Sequence, residues 1–123
     1  MNYNLYMTET TTDLYSLLEY LGNFLSEKNQ TISTAESCTG GWLGKEITGI
    51  PGSSRWFGTG FITYSNSAKV KILGVNKETL LKEGAVSESV VREMAIGAMQ
   101  LGQADYGIAI SGVAGPGGGS KSR

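Results

Sequence analysis

Leu14, Leu17, Leu18, Leu21, Phe24 and Leu25 recur at three- and four-residue steps with polar residues between them. This is the period of a helix with one buried face, and it predicts a helix capped by Asp13 or Thr12 and ending near Asn29. The residues before it, Met1 to Thr11, are polar and threonine-rich and predict a loosely held lead-in. After it the pattern changes to a short β-prone run, about Thr31 to Ala35, that ends in Glu36-Ser37-Cys38-Thr39 and two glycines. Leu43 and Ile47, one helical turn apart, predict a short helix from about Trp42 to Ile47, stopped by Gly49-Ile50-Pro51-Gly52.

The alternation continues to the end of the chain. Phe61-Ile62-Thr63-Tyr64 predicts a second strand, Ala68 to Leu73 a turn or two of helix closed by Gly74, and Lys77 to Lys82 another short helix. Ser87 is placed to cap a longer helix whose buried face is Val91, Met94, Ala95 and Ala98, ending near Gly102. Tyr106 to Ile110 is almost unbroken in apolar residues, which predicts a strand covered on both faces. Helices and strands in alternation predict α/β architecture: a single domain built as a three-layer α/β/α sandwich around a largely parallel or mixed sheet.

Composition narrows the chemistry. A chain of 123 residues suffices for one domain with its own core. Ten basic and eleven acidic residues give a net charge of −1 without a basic block, so no nucleic-acid partner is expected. No apolar run approaches the roughly 20 residues that cross a bilayer, and the polar start lacks the apolar stretch of a secretory signal, so the expectation is a cytoplasmic protein with no membrane partner. The lone cysteine, Cys38, cannot form an internal disulfide or a cysteine-rich zinc site. There is no histidine, which removes the Ser-His-Asp triad, the Cys-His dyad and histidine-ligated metals together. No metal and no cofactor are expected.

In open α/β sheets, ligands bind beyond the carboxyl ends of the strands. Ser37, Tyr64 and Ser111 each fall just after a predicted strand, and Lys69 lies a few residues past Tyr64, so parallel strands would gather all four at one edge. Backbone N–H groups at the turn after Ser37 favour an anion or a developing oxyanion there. Ser37 or Thr39 as an ordinary helix cap is the plainer alternative. A serine hydroxyl needs a base, and without histidine a desolvated Lys69 is the natural candidate, with Tyr64 able to orient or relay a proton. Cys38 as a thiolate nucleophile is a second option. Thr39 to Glu46 lacks both the first glycine and the final hydroxyl residue of a phosphate-binding P-loop. The run from Gly115 to Ser120 is equally readable as a phosphate cradle or as a flexible stretch.

Four segments carry a more specific signal. Thr34-Ala35-Glu36-Ser37-Cys38-Thr39-Gly40-Gly41, Tyr64-Ser65-Asn66-Ser67-Ala68-Lys69, Gly84-Ala85-Val86-Ser87 and Ser111-Gly112-Val113-Ala114-Gly115-Pro116-Gly117-Gly118-Gly119-Ser120 stand in this order along the chain. They resemble the motifs of the CinA C-terminal domain family, the nicotinamide-nucleotide amidases, and the resemblance covers roughly Leu14 to Ser120. It implies hydrolysis of the carboxamide of nicotinamide mononucleotide to nicotinate mononucleotide and ammonia, a salvage step in pyridine-nucleotide metabolism that needs no metal. Carried over motif by motif, it makes Ser37 the nucleophile and Lys69 the base, with Tyr64 the accompanying tyrosine. Thr39, Gly40, Gly41, Ser111, Gly112 and Gly115 would then hold the substrate or the oxyanion.

The family pattern runs on past the Gly-Gly-Ser segment with further strands and a final arginine-bearing helix, which the 123 residues lack. An open strand edge invites pairing with another copy, so a homo-oligomer is expected. The alternative to an amidase is a non-catalytic nucleotide-binding or self-associating fragment of that family.

Overall fold

The computed structural model describes residues 13–113 and Gly115. The expected lead-in over 1–11 and the glycine-rich run beyond Gly115 lie outside the described residues. Helix α1 spans Leu14–Glu27, and the Asp13 carboxylate caps it by accepting from the Ser16 backbone N–H at 2.7 Å. Strand β1, Ile32–Glu36, leads through the 37–41 turn into α2, Trp42–Thr48. A single 3₁₀ turn, Ser53–Arg55, precedes β2, Phe57–Ile62. Three helices follow: α3, Asn66–Leu73; α4, Lys77–Glu83; and α5, Glu88–Leu101. Strand β3, Tyr106–Ile110, comes last.

The sheet has the order β2-β1-β3, and β1 pairs in parallel with both neighbours. All three carboxyl ends therefore share one edge. Alternate residues of a strand face opposite sides, and the two cores follow that rule. Ile32 and Ile108 face α1 and α2, packing with Leu18, Leu25, Ile47 and Trp56. Ala35 and Ala109 face α3 and α5, packing with Leu73, Val90, Met94 and Ala98. Burying each large apolar side chain contributes roughly 1.5–3 kcal/mol. Two helical layers thus enclose the sheet, as the alternation of elements predicts.

Strand β2 begins four residues before the predicted position. Glycines at 58 and 60 weaken its intrinsic strand propensity, but pairing with β1 overrides it. The register slips between Ile32 and Ser33, which face Phe57 and Thr59, so that Gly58 is the extra residue of a bulge. The slip reverses the facing of everything beyond it: Phe57 packs with the α1–α2 core, whereas Phe61, an even number of residues later, packs with the α3–α5 core.

Strand β3 also departs from expectation. Tyr106 is exposed and the other four residues are only half-buried, because β3 is an edge among the described strands. Complete burial falls instead on the central strand, where all five residues of β1 are buried. One close approach holds the helical layer together. A Cβ on Gly97 of α5 would lie 2.1 Å from the Leu73 carbonyl oxygen at the end of α3, so only glycine lets these two backbones meet.

Candidate active site

Parallel pairing brings Ser37, Tyr64 and Ser111 to the same edge of the sheet, directly after the three strands. Lys69 arrives from α3. The Ser65 hydroxyl caps that helix by accepting from the Ala68 N–H at 3.0 Å. Lys69 stands one helical turn before Leu73, so the packing that buries Leu73 also carries the lysine inward.

Lys69 is 1% exposed, and its amine has three neighbours at hydrogen-bond distance. Its Nζ lies 2.9 Å from the Thr63 carbonyl oxygen, 2.8 Å from that of Tyr64, and 3.0 Å from Ser37 Oγ. Carbonyls can only accept, so two N–H bonds are committed to them in either protonation state. The third direction points at Ser37. As an ammonium, Lys69 donates there; as a neutral amine, it turns its lone pair to the hydroxyl and accepts the serine proton. Burial pushes its pKa below the ordinary lysine value, and the nearby Cys38 pulls it partly back. Among the described residues, the only ion pair joins Arg92 to Glu88, so no carboxylate holds Lys69 in its charged form.

Ser37 is itself buried at 6% exposure. Its backbone N–H donates to the Ile110 carbonyl at 3.0 Å, which ties the turn to the end of β3. Its side chain therefore has a fixed origin opposite Lys69.

The other expected site residues divide. The backbone of Tyr64 belongs to the constellation through its carbonyl, while its phenol side chain is 75% exposed. The Ser111 hydroxyl donates to the Ala85 carbonyl at 2.9 Å, pinning the end of β3 to the Gly84-Ala85-Val86-Ser87 connector. Gly112 lies against Cys38, where a Cβ would come within 3.3 Å of Sγ. Gly40 and Gly41 have φ of 62° and 102°, the left-handed region that the tight turn requires and that glycine adopts without strain. Gly115, with φ of 87°, is exposed.

Neither Ser37 nor Thr39 caps α2. The cap position is Gly41, which has no side chain to offer. The cap is instead Glu36, the last residue of β1, which is 2% exposed. Its Oε1 accepts from the Thr39 hydroxyl at 2.7 Å and the Leu43 N–H at 2.9 Å, and its Oε2 accepts from the Gly44 N–H at 2.9 Å. Burial by itself would raise this carboxyl's pKa. The bonds from Thr39, Gly44, Leu43 and Gly41 outweigh burial and hold it below the ordinary glutamate value. The Leu43 and Gly44 N–H groups in the first turn of α2, where the sequence marks an anion site, are therefore occupied by the protein's own carboxylate.

Sequence reasoning missed Glu36 and the Thr63 carbonyl. The signal for the first was an acid closing a β-prone run just before a helix whose cap position is glycine. The second is a backbone atom and leaves no signature in residue type. Near the mouth of the site, Trp42 and Ile62 are 64% and 59% exposed, and Ile62 lies over Gly41.

Comparisons with known proteins bear on the family of the chain. The model of the CinA C-terminal domain matches residues 14–123. The nicotinamide-nucleotide amidohydrolase PncC of Escherichia coli is 55% identical over 114 residues, which are 93% of this chain and 69% of that protein. A putative competence-damage inducible protein of Symbiobacterium thermophilum is 54% identical over 91% of this chain, but the match spans only 26% of that longer protein. Among solved structures, the competence/damage inducible protein CihA of Agrobacterium tumefaciens superposes with a TM-score of 0.87 at 41% identity, covering 95% of this chain and 71% of that one. The competence damage-inducible protein A of Klebsiella pneumoniae gives 0.85 at 39% identity, covering 88% and 67%. With the family model spanning all but the first 13 residues, this chain belongs to the CinA C-terminal domain family.

Proposed function

We propose that this protein is a nicotinamide-nucleotide amidohydrolase, converting nicotinamide mononucleotide to nicotinate mononucleotide and ammonia with Ser37 as nucleophile and Lys69 as general base. The observation that carries the mechanism is the Lys69 Nζ at 3.0 Å from Ser37 Oγ, with its other two bonds held by carbonyls and, among the described residues, no carboxylate to keep it charged. The name of the Escherichia coli relative supplies the substrate class.

In the first half-reaction, Lys69 takes the Ser37 proton as Oγ attacks the carboxamide carbon. The protonated amine then gives that proton to the departing nitrogen, the C–N bond breaks, and ammonia leaves an ester on Ser37. In the second, water loses a proton to Lys69 and attacks the ester. The C–O bond to Ser37 breaks, the acid is released, and the proton returns to Oγ. No histidine is needed because one amine serves both steps.

Cys38 is the weaker nucleophile in this reading, since Lys69 directs its free position at the neighbouring hydroxyl. Release of ammonia from nicotinamide mononucleotide tests the proposal. Ser37→Ala should lose at least about a thousandfold in kcat, and trapping with the wild type should leave a mass increment on Ser37. Turnover that survives Ser37→Ala, or a loss that follows Cys38→Ser instead, would reject the assignment.

The same reading places the protein in pyridine-nucleotide salvage in the cytoplasm. The exposed Trp42, Ile62 and Tyr64, together with the edge of β2 that pairs with no strand among the described residues, favour self-association. Light scattering after gel filtration should show a homo-oligomer, and a monomer at all concentrations would remove that part of the proposal.

A further inference from the structure

The turn after Ser37 has a division of labour among its N–H groups. Gly40 donates to the Ser37 carbonyl and Trp42 to that of Thr39. Leu43 and Gly44 donate to the Glu36 carboxylate, which also receives the Thr39 hydroxyl. Among the described residues, the N–H groups of Cys38 and Thr39 have no acceptor. These belong to the two residues that follow the nucleophile. A carbonyl attacked by Ser37 Oγ must develop its negative charge close to them, and free backbone donors fixed beside a nucleophile are what an oxyanion requires.

Glu36 ties down the segment that carries them. Its carboxylate binds the turn at Thr39 and the start of α2 at Leu43 and Gly44, spanning the segment from below, and it is nearly inaccessible to water. With the Leu43 and Gly44 N–H groups consumed by this clamp and that of Trp42 by the Thr39 carbonyl, the helix terminus itself has no donor left for substrate. We propose that Glu36 is a positioning residue that holds the 37–41 turn so that the Cys38 and Thr39 N–H groups form the oxyanion hole of Ser37. The chemistry this assigns rests on the serine-lysine reading above. Glu36 touches no reacting atom; it acts through the turn. Nor does it act through the base, since burial dominates the lowering of the Lys69 pKa and Glu36 makes no contact with that amine.

The test uses a fluorophosphonate, whose P=O oxygen takes the oxyanion position and whose reaction is independent of the natural substrate. Ser37 Oγ bonds to phosphorus, the P–F bond breaks, fluoride leaves, and the serine proton passes to Lys69. Intact-protein mass spectrometry follows labelling of the wild type, Glu36→Gln and Thr39→Val. Loss of an oxyanion donor typically costs about 10²–10³ in rate, so the expected result for Glu36→Gln is a maximal labelling rate about a hundredfold lower. Half-saturating probe concentration should stay within about threefold, because binding does not need the developed oxyanion.

Labelling should rise with pH through the same midpoint in wild type and variant. Thr39→Val, which removes one donor to the clamp and keeps side-chain volume, should show a smaller loss in the same direction and serves if Glu36→Gln does not fold. Wild-type labelling of Ser37 without ammonia release from nicotinamide mononucleotide would reject the substrate assignment and leave the Glu36 comparison intact. Labelling of both variants at the wild-type rate, a shifted pH midpoint in Glu36→Gln, or a wild type that Ser37 does not carry into reaction would each overturn the proposal.

Discussion

Replacing Lys69 with methionine separates what the amine does for catalysis from what its burial does to the fold. Methionine fills the aliphatic stem's space and removes the amine. Two opposing free energies follow. The Thr63 carbonyl, in a buried bond, loses its donor at a cost of about 1–3 kcal/mol, and the Tyr64 carbonyl loses less because its bond is only partly buried. Against this, a buried ammonium that pairs with no carboxylate among the described residues is relieved, and isolated buried ions carry penalties of about several kcal/mol. The variant should therefore lie within about 2 kcal/mol of the wild type at neutral pH, while kcat falls by about 10²–10⁴ or more.

The pH dependence is more discriminating. Lys69 has a folded-state pKa below its unfolded value near 10.5. Between those two values the unfolded chain binds more protons than the folded one, so stability rises with pH through that window. Below the folded pKa both states are charged and this group contributes no slope. Denaturant titrations of both proteins from pH 6 to 11 give the difference in unfolding free energy, in which the other lysines and tyrosines cancel. That difference should shift toward the wild type as pH rises through the window. A difference that is flat, or that moves toward the methionine variant, would refute the claim that this amine is buried at a cost. In the wild type, kcat/KM should climb through the same folded pKa as Lys69 becomes a base.

The acid side belongs to Glu36, whose pKa is held below the ordinary value. Its contribution is complete above the unfolded glutamate pKa and disappears as pH falls through the folded one. Glu36→Gln should therefore lose less stability on acidification than the wild type, and parallel acid-melting curves would argue against the clamp. In the helical layer, Gly97→Ala places a Cβ against the rigid Leu73 carbonyl. It should destabilise by about 3 kcal/mol or prevent folding, and a thermal midpoint unchanged from wild type would show that α3 and α5 are not in such contact.

Local pattern made most of the architecture legible. The leucine stripe from Leu14 to Leu25, the Asp13 cap, the Ser87 cap and the Gly74 stop each depend on neighbours within one or two helical turns, and each element stands where its period predicts. The start of β2 was not legible, since Phe57-Gly58-Thr59-Gly60 becomes strand only by pairing with β1 across a bulge. The degree to which β3 is covered was hidden for a related reason: an apolar run records the tendency to be buried, whereas strand order decides whether neighbours are available.

The site divides along the same line. Ser37 and Lys69 were readable because their residue types, the missing histidine and the motif set all narrow the chemistry. The exposed phenol of Tyr64, the Ser111–Ala85 bond and the Glu36 clamp were not readable. Each depends on where a side chain points once distant segments have met, and residue identity does not encode direction. Short-range periodicity therefore marked which elements form, and residue chemistry marked which groups are candidates for reaction. Parallel strand pairing and the packing of α3 settled which of those groups meet, because a contact across 32 residues exists only after the sheet has closed the loop between them.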